Sequence, residues 1–377
     1  MVERFDNASN DTSLTVDRAL SEVRRGGLVA ISESGMRDQV ILVASAEMAT
    51  EATVNRLRRL AFSEPSLLLS APRLSALTGR AFQAPASVAL PKDGAISTVQ
   101  SLIDPTEDGQ RRNAPLTLLS EGDGGGATAA AIDLVKRARL LPSAIVSRIA
   151  GLKAAEAGRW AREASILLVT HSDVEQYRQS AAARLVMAAE ARVPLEDAED
   201  ASLIAFRPVD GGLEHVAVRI GSPSAEEPVL VRIHSQCLTG DLLGSLRCDC
   251  GDQLRGAIRE IARQGSGILL YIAQEGRDIG LINKLRAYSL QDLGADTVDA
   301  NMQLGFEDDE RVYYPAAEML KKLGVIRVRL MTNNPAKLSQ LAECGVEVVD
   351  RVPHIFPSNK HNERYLAAKA AKSGHML

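Results

Sequence analysis

Three of the chain's four cysteines lie within fourteen positions, in the stretch HSQCLTGDLLGSLRCDCGDQ, residues 234–253. Cys237, Cys248 and Cys250 have the spacing C-x10-C-x-C. Three thiolates that converge on one point suit a tetrahedral zinc ion whose fourth position stays open, as in catalytic rather than structural zinc sites. The spacing therefore predicts a zinc centre in the second half of the chain, and the fold must bring these three sulfurs together.

Two other interpretations of the cluster stay open at this point. The zinc could be structural, with His234 as a fourth ligand, or the three thiols could be buried without a metal. The fourth cysteine, Cys344, lies in the apolar stretch LAECGVEVV and is expected to pack in a core. Four cysteines are too few for a disulfide framework, and a bridge between Cys248 and Cys250 would be strained. Reduced thiols fit a cytoplasmic protein.

The length, charge and hydropathy pattern narrow the class of protein. A chain of 377 residues favours two domains, each with its own core. The net charge of -4 argues against a protein that coats nucleic acid or an anionic membrane. The longest apolar runs, such as SILLV and GILLYI, are too short to cross a bilayer. We therefore expect a soluble protein with neither nucleic-acid nor membrane partners.

The order of apolar runs predicts α/β (α+β) architecture in two domains. Residues 15–180 alternate buried-strand runs with Ala- and Arg-rich helical stretches. Residues 181–199 read as a linker helix that breaks at Pro194, so we place a first domain at 1–197 and a second at 198–377. The second domain begins with strands separated by the turn sequence Asp210-Gly211-Gly212, which predicts antiparallel pairing within a mixed sheet with helices.

Five stretches of the second domain resemble the successive signatures of GTP cyclohydrolase II, from about residue 199 to the end: HSQCLTGDLLGSLRCDCGDQL, QEGRDIGL, RAYSLQDLGADTVDAN, LGFEDDER and TNNPAKLSQL. That family opens the imidazole ring of GTP, releases formate and pyrophosphate, and yields 2,5-diamino-6-(5-phospho-D-ribosylamino)pyrimidin-4(3H)-one, which begins riboflavin biosynthesis. The resemblance implies one Zn²⁺ per chain on Cys237, Cys248 and Cys250, Mg²⁺ that arrives with the triphosphate, and a homodimer. The chemistry agrees, because losing a ring carbon as formate requires hydroxide, which zinc supplies by lowering the pKa of bound water.

The resemblance also implies roles for other side chains. Asp309 matches the family's proton acceptor, Arg311 its proposed phosphorus-attacking arginine, and Tyr288 a tyrosine that orients the opened ring. Since arginine is a poor nucleophile while protonated, we favour stabilisation of transition-state charge for Arg311. The positions that match the family's GTP-binding residues are Arg232, Ile233, His234, Ser235, Gln236, Gln253, Glu275, Gly276, Arg277, Thr297, Thr332 and Lys337.

Four positions depart from the family pattern: Gln236, Ala273, Met302 and Val312. Ala273 and Met302 remove possible polar contacts, but such losses typically lower activity by about 10- to 100-fold rather than abolish it. They motivate one alternative, a paralogue that opens a different nucleotide ring. A second alternative is a non-catalytic scaffold with a structural zinc.

Residues 15–180 resemble, more weakly, 3,4-dihydroxy-2-butanone 4-phosphate synthase. The acidic run that binds magnesium in that family here reads SESGMRD, residues 32–38, and its glycine-histidine-threonine-glutamate segment reads Gly126-Ala127-Thr128-Ala129. The carboxylates and the imidazole needed for metal binding and acid–base work are therefore missing. We expect a non-catalytic first domain that serves as a dimerisation or stabilising platform.

Overall fold

The structure, a computed structural model, describes residues 7–90, 96–106, 116–121, 125–209, 211–224 and 226–356. These residues form two compact units. The first unit comprises Met1–Tyr177 and Ile282–Asp309, and the second comprises Arg178–Leu281 and Glu310–Leu377. The predicted boundary after residue 197 stays a prediction, since the two units interleave along the chain. None of the described helices is both long and apolar enough to span a membrane.

The helices follow the amphipathic stretches of the sequence. The third has its N-cap at Ser70, whose Oγ accepts a hydrogen bond from the Arg73 amide at 3.4 Å, and its C-cap is Gly79 with a left-handed φ of 70°. In chain order the α-helices are α1 Asn7–Arg24, α2 Glu51–Ala61, α3 Ala71–Thr78, α4 Ile96–Ile103, α5 Gly126–Arg137, α6 Ala157–Glu163, α7 His171–Ala183, α8 Cys250–Arg263, α9 Leu281–Asp292, α10 Thr297–Gln303, α11 Tyr314–Lys322 and α12 Ala336–Glu343.

The strands form two separate sheets, one in each unit. In chain order they are β1 Val29–Glu33, β2 Gln39–Ser45, β3 Ser66–Leu69, β4 Ala86–Ala89, β5 Leu118–Glu121, β6 Ser143–Arg148, β7 Leu167–Thr170, β8 Val186–Arg192, β9 Ala201–Arg207, β10 His215–Ile220, β11 Val229–Ser235, β12 Gly267–Ile272, β13 Arg327–Met331 and β14 Glu347–Val352.

The sheet of the first unit has the strand order β5-β4-β3-β6-β2-β1-β7. Its pairs are antiparallel except for β1 and β7, which are parallel. All five residues of β1 are buried, as the short, continuously apolar run predicts. Helices alternate with these strands, so the mixed α/β fold class is confirmed.

The sheet of the second unit has the order β14-β13-β11-β12-β10-β9-β8. Strands β11, β12, β13 and β14 pair in parallel, whereas β8, β9 and β10 pair antiparallel. The predicted antiparallel opening and mixed sheet are therefore confirmed. Asp210 of the predicted turn lies outside the described residues.

The predicted linker helix is wrong. Part of it, Val186–Arg192, is the strand β8, which pairs antiparallel with β9 along its length. All seven of its residues are exposed, so neither face carries the apolar alternation that identifies a strand in a sequence. Its Ala- and Glu-rich composition favours a helix locally, but the backbone hydrogen bonds offered by β9 outweigh that preference.

Two apolar clusters cover the two faces of the second sheet. One packs Val231 and Ile233 of β11 with α11 and α12, and the other packs Leu230 with Ala257 and Ile261 of α8. Because side chains alternate along a strand, Arg232 and His234 continue the row that Leu230 begins. Strand β11 thus directs these two polar side chains toward the face on which α8 begins with a cysteine.

Candidate active site

The three clustered cysteines come together at the end of β11 and the start of α8. Cys237 is the second residue after the strand, a single wide π-helical turn Leu238–Leu242 comes next, and Cys250 is the first residue of α8. The three Sγ atoms lie within 4.8 Å of one another, and those of Cys237 and Cys248 are 3.7 Å apart. Tetrahedral coordination with Zn–S bonds of about 2.3 Å places sulfurs roughly 3.8 Å apart. The cluster thus has the size of a zinc site.

The Cys248 and Cys250 thiols hold their protons at neutral pH in the absence of a cation. Hydrogen bonding with Cys237, together with burial, raises the pKa of the Cys248 thiol to about 11. Hydrogen bonds with the other two cysteines, followed by burial, raise the pKa of Cys250 well above its ordinary value. The three sulfurs therefore do not ionise together by themselves at neutral pH. A bound cation would supply the positive charge that stabilises three thiolates.

Gly240 lets the cysteine loop close around the sulfurs. A Cβ on this residue would lie 2.7 Å from the Cys248 Sγ, 2.9 Å from the Cys250 Cβ and 3.1 Å from the Cys237 Sγ. Its amide donates to the Cys237 sulfur at 3.3 Å. Only glycine fits in this space, and its backbone supplies a donor to one of the candidate ligands.

Asp241, which the sequence analysis did not single out, ties the loop to the sheet. Its Oδ2 accepts hydrogen bonds from the Cys237 amide at 2.9 Å and from the Tyr271 hydroxyl at 2.9 Å. Its Oδ1 lies 3.0 Å from the His234 Nε2. The only available sequence signal was a short carboxylate in the turn four residues after Cys237.

His234 is a support for this carboxylate rather than part of the cysteine cluster. Burial lowers the pKa of the imidazole, and the nearby charges of Arg232 and Lys337 oppose its protonation. The neutral ring therefore donates its Nε2 proton to Asp241 and stacks on Tyr271 with centroids 5.7 Å apart. The metal-ligating group found among the described residues comprises the three cysteines without His234. The alternative with His234 as a fourth zinc ligand is therefore not supported.

Arg232 is buried beside the first turn of α8. Its Nη2 donates to the Gln253 Oε1 at 2.6 Å and its Nη1 to the Met331 carbonyl at 2.9 Å, while the Gln253 Nε2 donates to Asp249. Burial lowers the pKa of the guanidinium to about 10, and Arg311 adds repulsion. Arg232 therefore stays charged at neutral pH. Arg311 adds a second positive charge near its guanidinium.

The turn after β12 carries the next predicted site residues. Gly276, Arg277 and Asp278 have consecutive left-handed φ values of 65°, 60° and 76°. This conformation costs roughly 1–2 kcal/mol for each non-glycine residue and is typical of functional sites. The Glu275 carboxylate accepts from the Leu238 amide at 2.7 Å and from the Gly276 amide at 3.1 Å. Glu275 thus joins this strained turn to the cysteine loop.

Thr332 and Lys337 lie where β13 leads into α12. The Thr332 Oγ1 accepts from the Asn334 amide at 3.0 Å, and the Lys337 Nζ donates to the Ile233 carbonyl at 3.3 Å. Both residues are buried. The Lys337 ammonium also lies 5.8 Å from the centre of the Tyr313 ring. Lys337 therefore places a buried positive charge beside β11.

Some buried polar atoms near the cluster have no hydrogen-bond partner among the residues that the structure describes. They are the Ser235 Oγ, the Arg232 Nε and the Gln274 Oε1. Burying a polar atom without a partner typically costs about 1–3 kcal/mol. Two of these residues, Arg232 and Ser235, were predicted to bind substrate, and a bound polar ligand would satisfy them.

The remaining predicted residues are divided between the units. Ile233, Gln236 and Arg311 belong to the second unit, like the residues above, and the Gln236 amide donates to the Ile272 carbonyl at 2.8 Å. Tyr288 and Thr297 belong to the first unit, as does Asp309 at the end of that segment. Tyr288 is half-buried on α9 with the Lys284 Nζ 5.7 Å from its ring centre, and the Thr297 Oγ1 accepts from the Gln291 Nε2 at 3.4 Å.

The departures from the family pattern have defined surroundings. Ala273 is buried, and its amide donates to the His215 Nδ1 at 3.1 Å. The Val312 carbonyl accepts from the Gln274 Nε2 at 2.8 Å, a contact that any residue at 312 provides. The Met302 side chain is exposed on α10. The sulfur cluster and its hydrogen bonds involve none of these side chains.

In the first unit, a carboxylate of the chain itself lies at the start of α5. The Glu33 Oε2 accepts from the Ala127 amide at 3.0 Å and from the Gln39 Nε2 at 2.8 Å. A Cβ on Gly126 would lie 2.4 Å from Glu33, so the carboxylate packs directly on the helix start. Of the backbone amides that the start of this helix could offer to an anion, that of Ala127 is therefore already used.

Comparisons with known proteins identify the family of the chain. The GTP cyclohydrolase II family model matches residues 186–353. A GTP cyclohydrolase-2 of Azospirillum brasilense is 53% identical over 370 residues, which cover 96% of this chain and 94% of that protein. A GTP cyclohydrolase-2 of Citrobacter koseri is 54% identical over 194 residues, 52% of this chain and 98% of that protein.

Other similar proteins extend over both units. The riboflavin biosynthesis protein RibBA of Synechocystis sp. is 36% identical over 397 residues, which cover 96% of this chain and 71% of that protein. Among solved structures, RibBX of A. baumannii, described as a two-domain 3,4-dihydroxy-2-butanone 4-phosphate synthase, covers 91% of this chain at 17% identity with a TM-score of 0.36. The family match includes all three clustered cysteines, and the Azospirillum protein is similar along nearly its whole length, so the chain belongs to the GTP cyclohydrolase II family.

Proposed function

We propose that this chain hydrolyses GTP to 2,5-diamino-6-(5-phospho-D-ribosylamino)pyrimidin-4(3H)-one, formate and pyrophosphate, at the start of riboflavin biosynthesis. The observation that carries the proposal is the convergence of Cys237, Cys248 and Cys250 within 4.8 Å, inside the region that matches the family. A scaffold with a structural metal would need a fourth protein ligand, and among the described residues this cluster has three.

One Zn²⁺ per chain would be held by the three cysteines. When bound, zinc lowers the pKa of water to near 7 and polarises substrate oxygen, which is the chemistry that removing a ring carbon as formate requires. Asp241 fixes the Cys237 backbone by accepting from its amide. Gly240, which has no side chain, leaves room for the sulfurs. Cys237 and Cys248 are buried, which limits the access of water to the cluster.

The charges near the cluster suit a triphosphate. Arg232 and Lys337 are both buried. The positive charge of each lowers the pKa of His234, so both contribute to the positive potential at this residue. Arg311 adds to the potential at Arg232, and Arg277 follows on the strained turn. Such a set attracts phosphate oxygens, and Mg²⁺ would arrive with the nucleotide, because this cation keeps much of its own water and binds through phosphates.

The other substrate contacts and catalytic roles follow the family pattern. Glu275 would accept from the guanine N–H edge, with the remaining binding contacts at Ile233, His234, Ser235, Gln236, Gln253, Gly276, Thr297 and Thr332. For His234 the geometry favours an indirect role through Asp241. Asp309 would accept a proton, Tyr288 would orient the opened ring by a hydrogen bond, and Arg311 would stabilise charge at the phosphate that is cleaved.

The first unit would have no synthase activity, since Glu33 occupies the start of α5 and the carboxylates of the family pattern are missing. The protein would work as a cytoplasmic homodimer. The region 1–197 would then be a non-catalytic domain, and 198–377 the region that carries the zinc ligands.

The deciding experiment is an anaerobic incubation of zinc-loaded protein with GTP and Mg²⁺, in which formate, pyrophosphate and the pyrimidine product are measured. Parallel reactions contain ATP or UTP. Cys250→Ser removes one candidate ligand, and Cys344→Ser, on the C-terminal end of α12, is the matched control. We expect formate from GTP alone, its loss in Cys250→Ser and its retention in Cys344→Ser. Formate from another nucleotide would favour the paralogue, and zinc binding without any turnover would favour the scaffold.

A further inference from the structure

The segment 282–309 contains α10 and all of α9 except its first residue. It lies within the region that matches the family, yet it folds as part of the first unit. It carries Tyr288, Thr297 and Asp309, three residues assigned above to the reaction with GTP. We propose that the rest of the first unit holds this segment in position for catalysis. Arg73 is the positioning residue that makes the main contact. The proposal rests on the proposed function for its kinetic part only.

The first attachment joins α3 to the end of α10. Arg73 is 1% exposed, and its guanidinium bridges two backbone carbonyls. The Nη1 donates to the Gln303 carbonyl at 3.1 Å, while the Nε and the Nη2 donate to the Leu102 carbonyl at 3.0 and 2.7 Å. A buried cation is stable only when its donors are used, so displacing Gln303 would remove one of the carbonyl acceptors of this charge.

Ser70 and Gly305 form a second contact beside Arg73. The Ser70 Oγ donates to the Gly305 carbonyl at 2.7 Å. Gly305 has a φ of +93°, and a Cβ there would lie 2.7 Å from the Ser70 Oγ and 3.2 Å from the Arg73 Cβ. The backbone of the segment thus rests directly on the start of α3. Such a close approach leaves little room for the segment to shift.

The other end of the segment is attached through α9. The Arg286 Nη2 pairs with the Glu47 Oε1 at 2.9 Å, and the second oxygen of Glu47 accepts from the Leu141 amide at 2.7 Å. Asn283 is fully buried and donates to the Arg139 carbonyl at 3.1 Å. Two attachments at each end therefore hold the helices that carry Tyr288 and Thr297. Displacing a catalytic group by about 1 Å can slow a reaction by about 100-fold.

Arg73→Ala in the full chain tests whether this contact holds the segment 282–309. Arg73→Lys is the conservative variant, because lysine keeps the charge but cannot bridge both carbonyls. Arg58→Ala is the control, since Arg58 lies on α2 of the same unit in an exposed pair with Glu64. Three kinds of measurement are made well below the unfolding temperature. They are hydrogen exchange of peptides from 282–309 and from β11 and β12, zinc per chain, and the kinetic constants kcat and KM for GTP.

We expect Arg73→Ala to raise exchange in 282–309 but not in β11 or β12, to leave zinc unchanged, and to lower kcat about 10- to 100-fold per zinc-loaded chain. Arg73→Lys should recover part of kcat, and Arg58→Ala should match the wild type. Unchanged hydrogen exchange in 282–309 would overturn the proposal that Arg73 holds this segment. Faster exchange with unchanged kcat would overturn the positioning role.

Glu47→Gln is the second variant, in case Arg73→Ala does not fold. It removes the charge that pairs with Arg286 and keeps an oxygen for the Leu141 amide, so exchange should rise near 283–290 and kcat should fall. Unchanged values in Glu47→Gln would count against the proposal. If the wild type releases no formate from GTP, the proposed function and the positioning role fail together, whereas the exchange measurement still decides whether the first unit holds the segment.

Discussion

Asp241 is the acceptor on which the cysteine loop depends, because donors from three parts of the chain meet its two oxygens: the Cys237 amide, the Tyr271 hydroxyl and the His234 ring. Asp241→Asn replaces one acceptor oxygen with a donor, so at least one of these bonds is lost. Outer contacts of this kind typically change metal affinity or activity by about 10- to 100-fold.

We expect Asp241→Asn to weaken zinc binding by a factor in that range, measured by competition with a chelator of known affinity. Asp252→Asn is the matched control, since Asp252 is exposed and pairs with Arg255 at 3.3 Å on α8. Equal zinc affinities for the two variants would show that the Asp241 contacts do not hold the site.

His354 links pH to the stability of the second unit. Burial, with repulsion from Arg232, lowers the pKa of the imidazole to about 4, and the ring lies 2.8 Å from the Gln253 carbonyl. The unfolded chain, with an ordinary histidine pKa of about 6.5, binds more protons between pH 4 and pH 6.5. The stability that His354 contributes is therefore full above pH 6.5 and falls as the pH is lowered through this window.

The expected loss is on the order of 2 kcal/mol in the free energy of unfolding between pH 7 and pH 5. His354→Gln retains a donor for the Gln253 carbonyl but cannot be protonated, so its denaturant unfolding should lose less stability over the same pH change. Since His234 titrates in the same direction, only the difference between the two proteins is informative. Parallel pH dependences would contradict this assignment.

The turn Leu238–Leu242 is the element that determines the geometry of the sulfurs. Gly240→Ala would place a Cβ 2.7 Å from the Cys248 Sγ, so either a sulfur or the turn must move. We expect less than one zinc per chain and little formate from GTP, measured by metal analysis and by the cyclohydrolase assay.

Gly244→Ala is the control in the same loop. A Cβ there meets nothing within 4 Å, although its φ of +64° costs roughly 1 kcal/mol for a residue other than glycine. This variant should be slightly less stable and keep its zinc. Full zinc loading in Gly240→Ala would mean that the turn is wider than the contacts indicate.

Elements with a strong local pattern were predictable from the sequence. The amphipathic run after Cys250 forms α8, the apolar run GILLYI forms β12, and the cysteine spacing was enough to predict that the three sulfurs meet. Strand β8 was missed because its register depends on β9 and not on its own side chains. Asp241 was missed for the same kind of reason, since its partners on β11 and β12 come close only through the parallel pairing of these strands.

At the scale of the whole molecule, each of the two compact units is built from two separate stretches of the sequence. Residues 282–309 lie within the matched family region but belong to the first unit, which a hydrophobic pattern cannot reveal because burial does not identify the partner. On this segment Ala287, Leu290, Ala300, Leu304 and Phe306 are all buried. Removing the rest of the first unit would take away the partners of Arg286 and of the Gln303 and Gly305 carbonyls.

Deletion of residues 1–184, which keeps β8, therefore should yield a protein that aggregates or has kcat for GTP at least about tenfold lower. The zinc content should persist, because all three cysteines lie in the second unit. Light scattering and the formate assay on the full chain and the deletion, at equal zinc loading, provide the comparison. The full chain is expected to be a dimer.

Half-length relatives make this deletion informative. A GTP cyclohydrolase-2 of Citrobacter koseri matches 52% of this chain along 98% of its own length, so an enzyme of that name exists without a chain of this size. If the deletion keeps the oligomeric state and the full kcat, residues 282–309 do not need the rest of the first unit for activity. If kcat falls while zinc stays bound, the contacts of Arg73, Ser70 and Glu47 have made this segment dependent on the rest of the first unit.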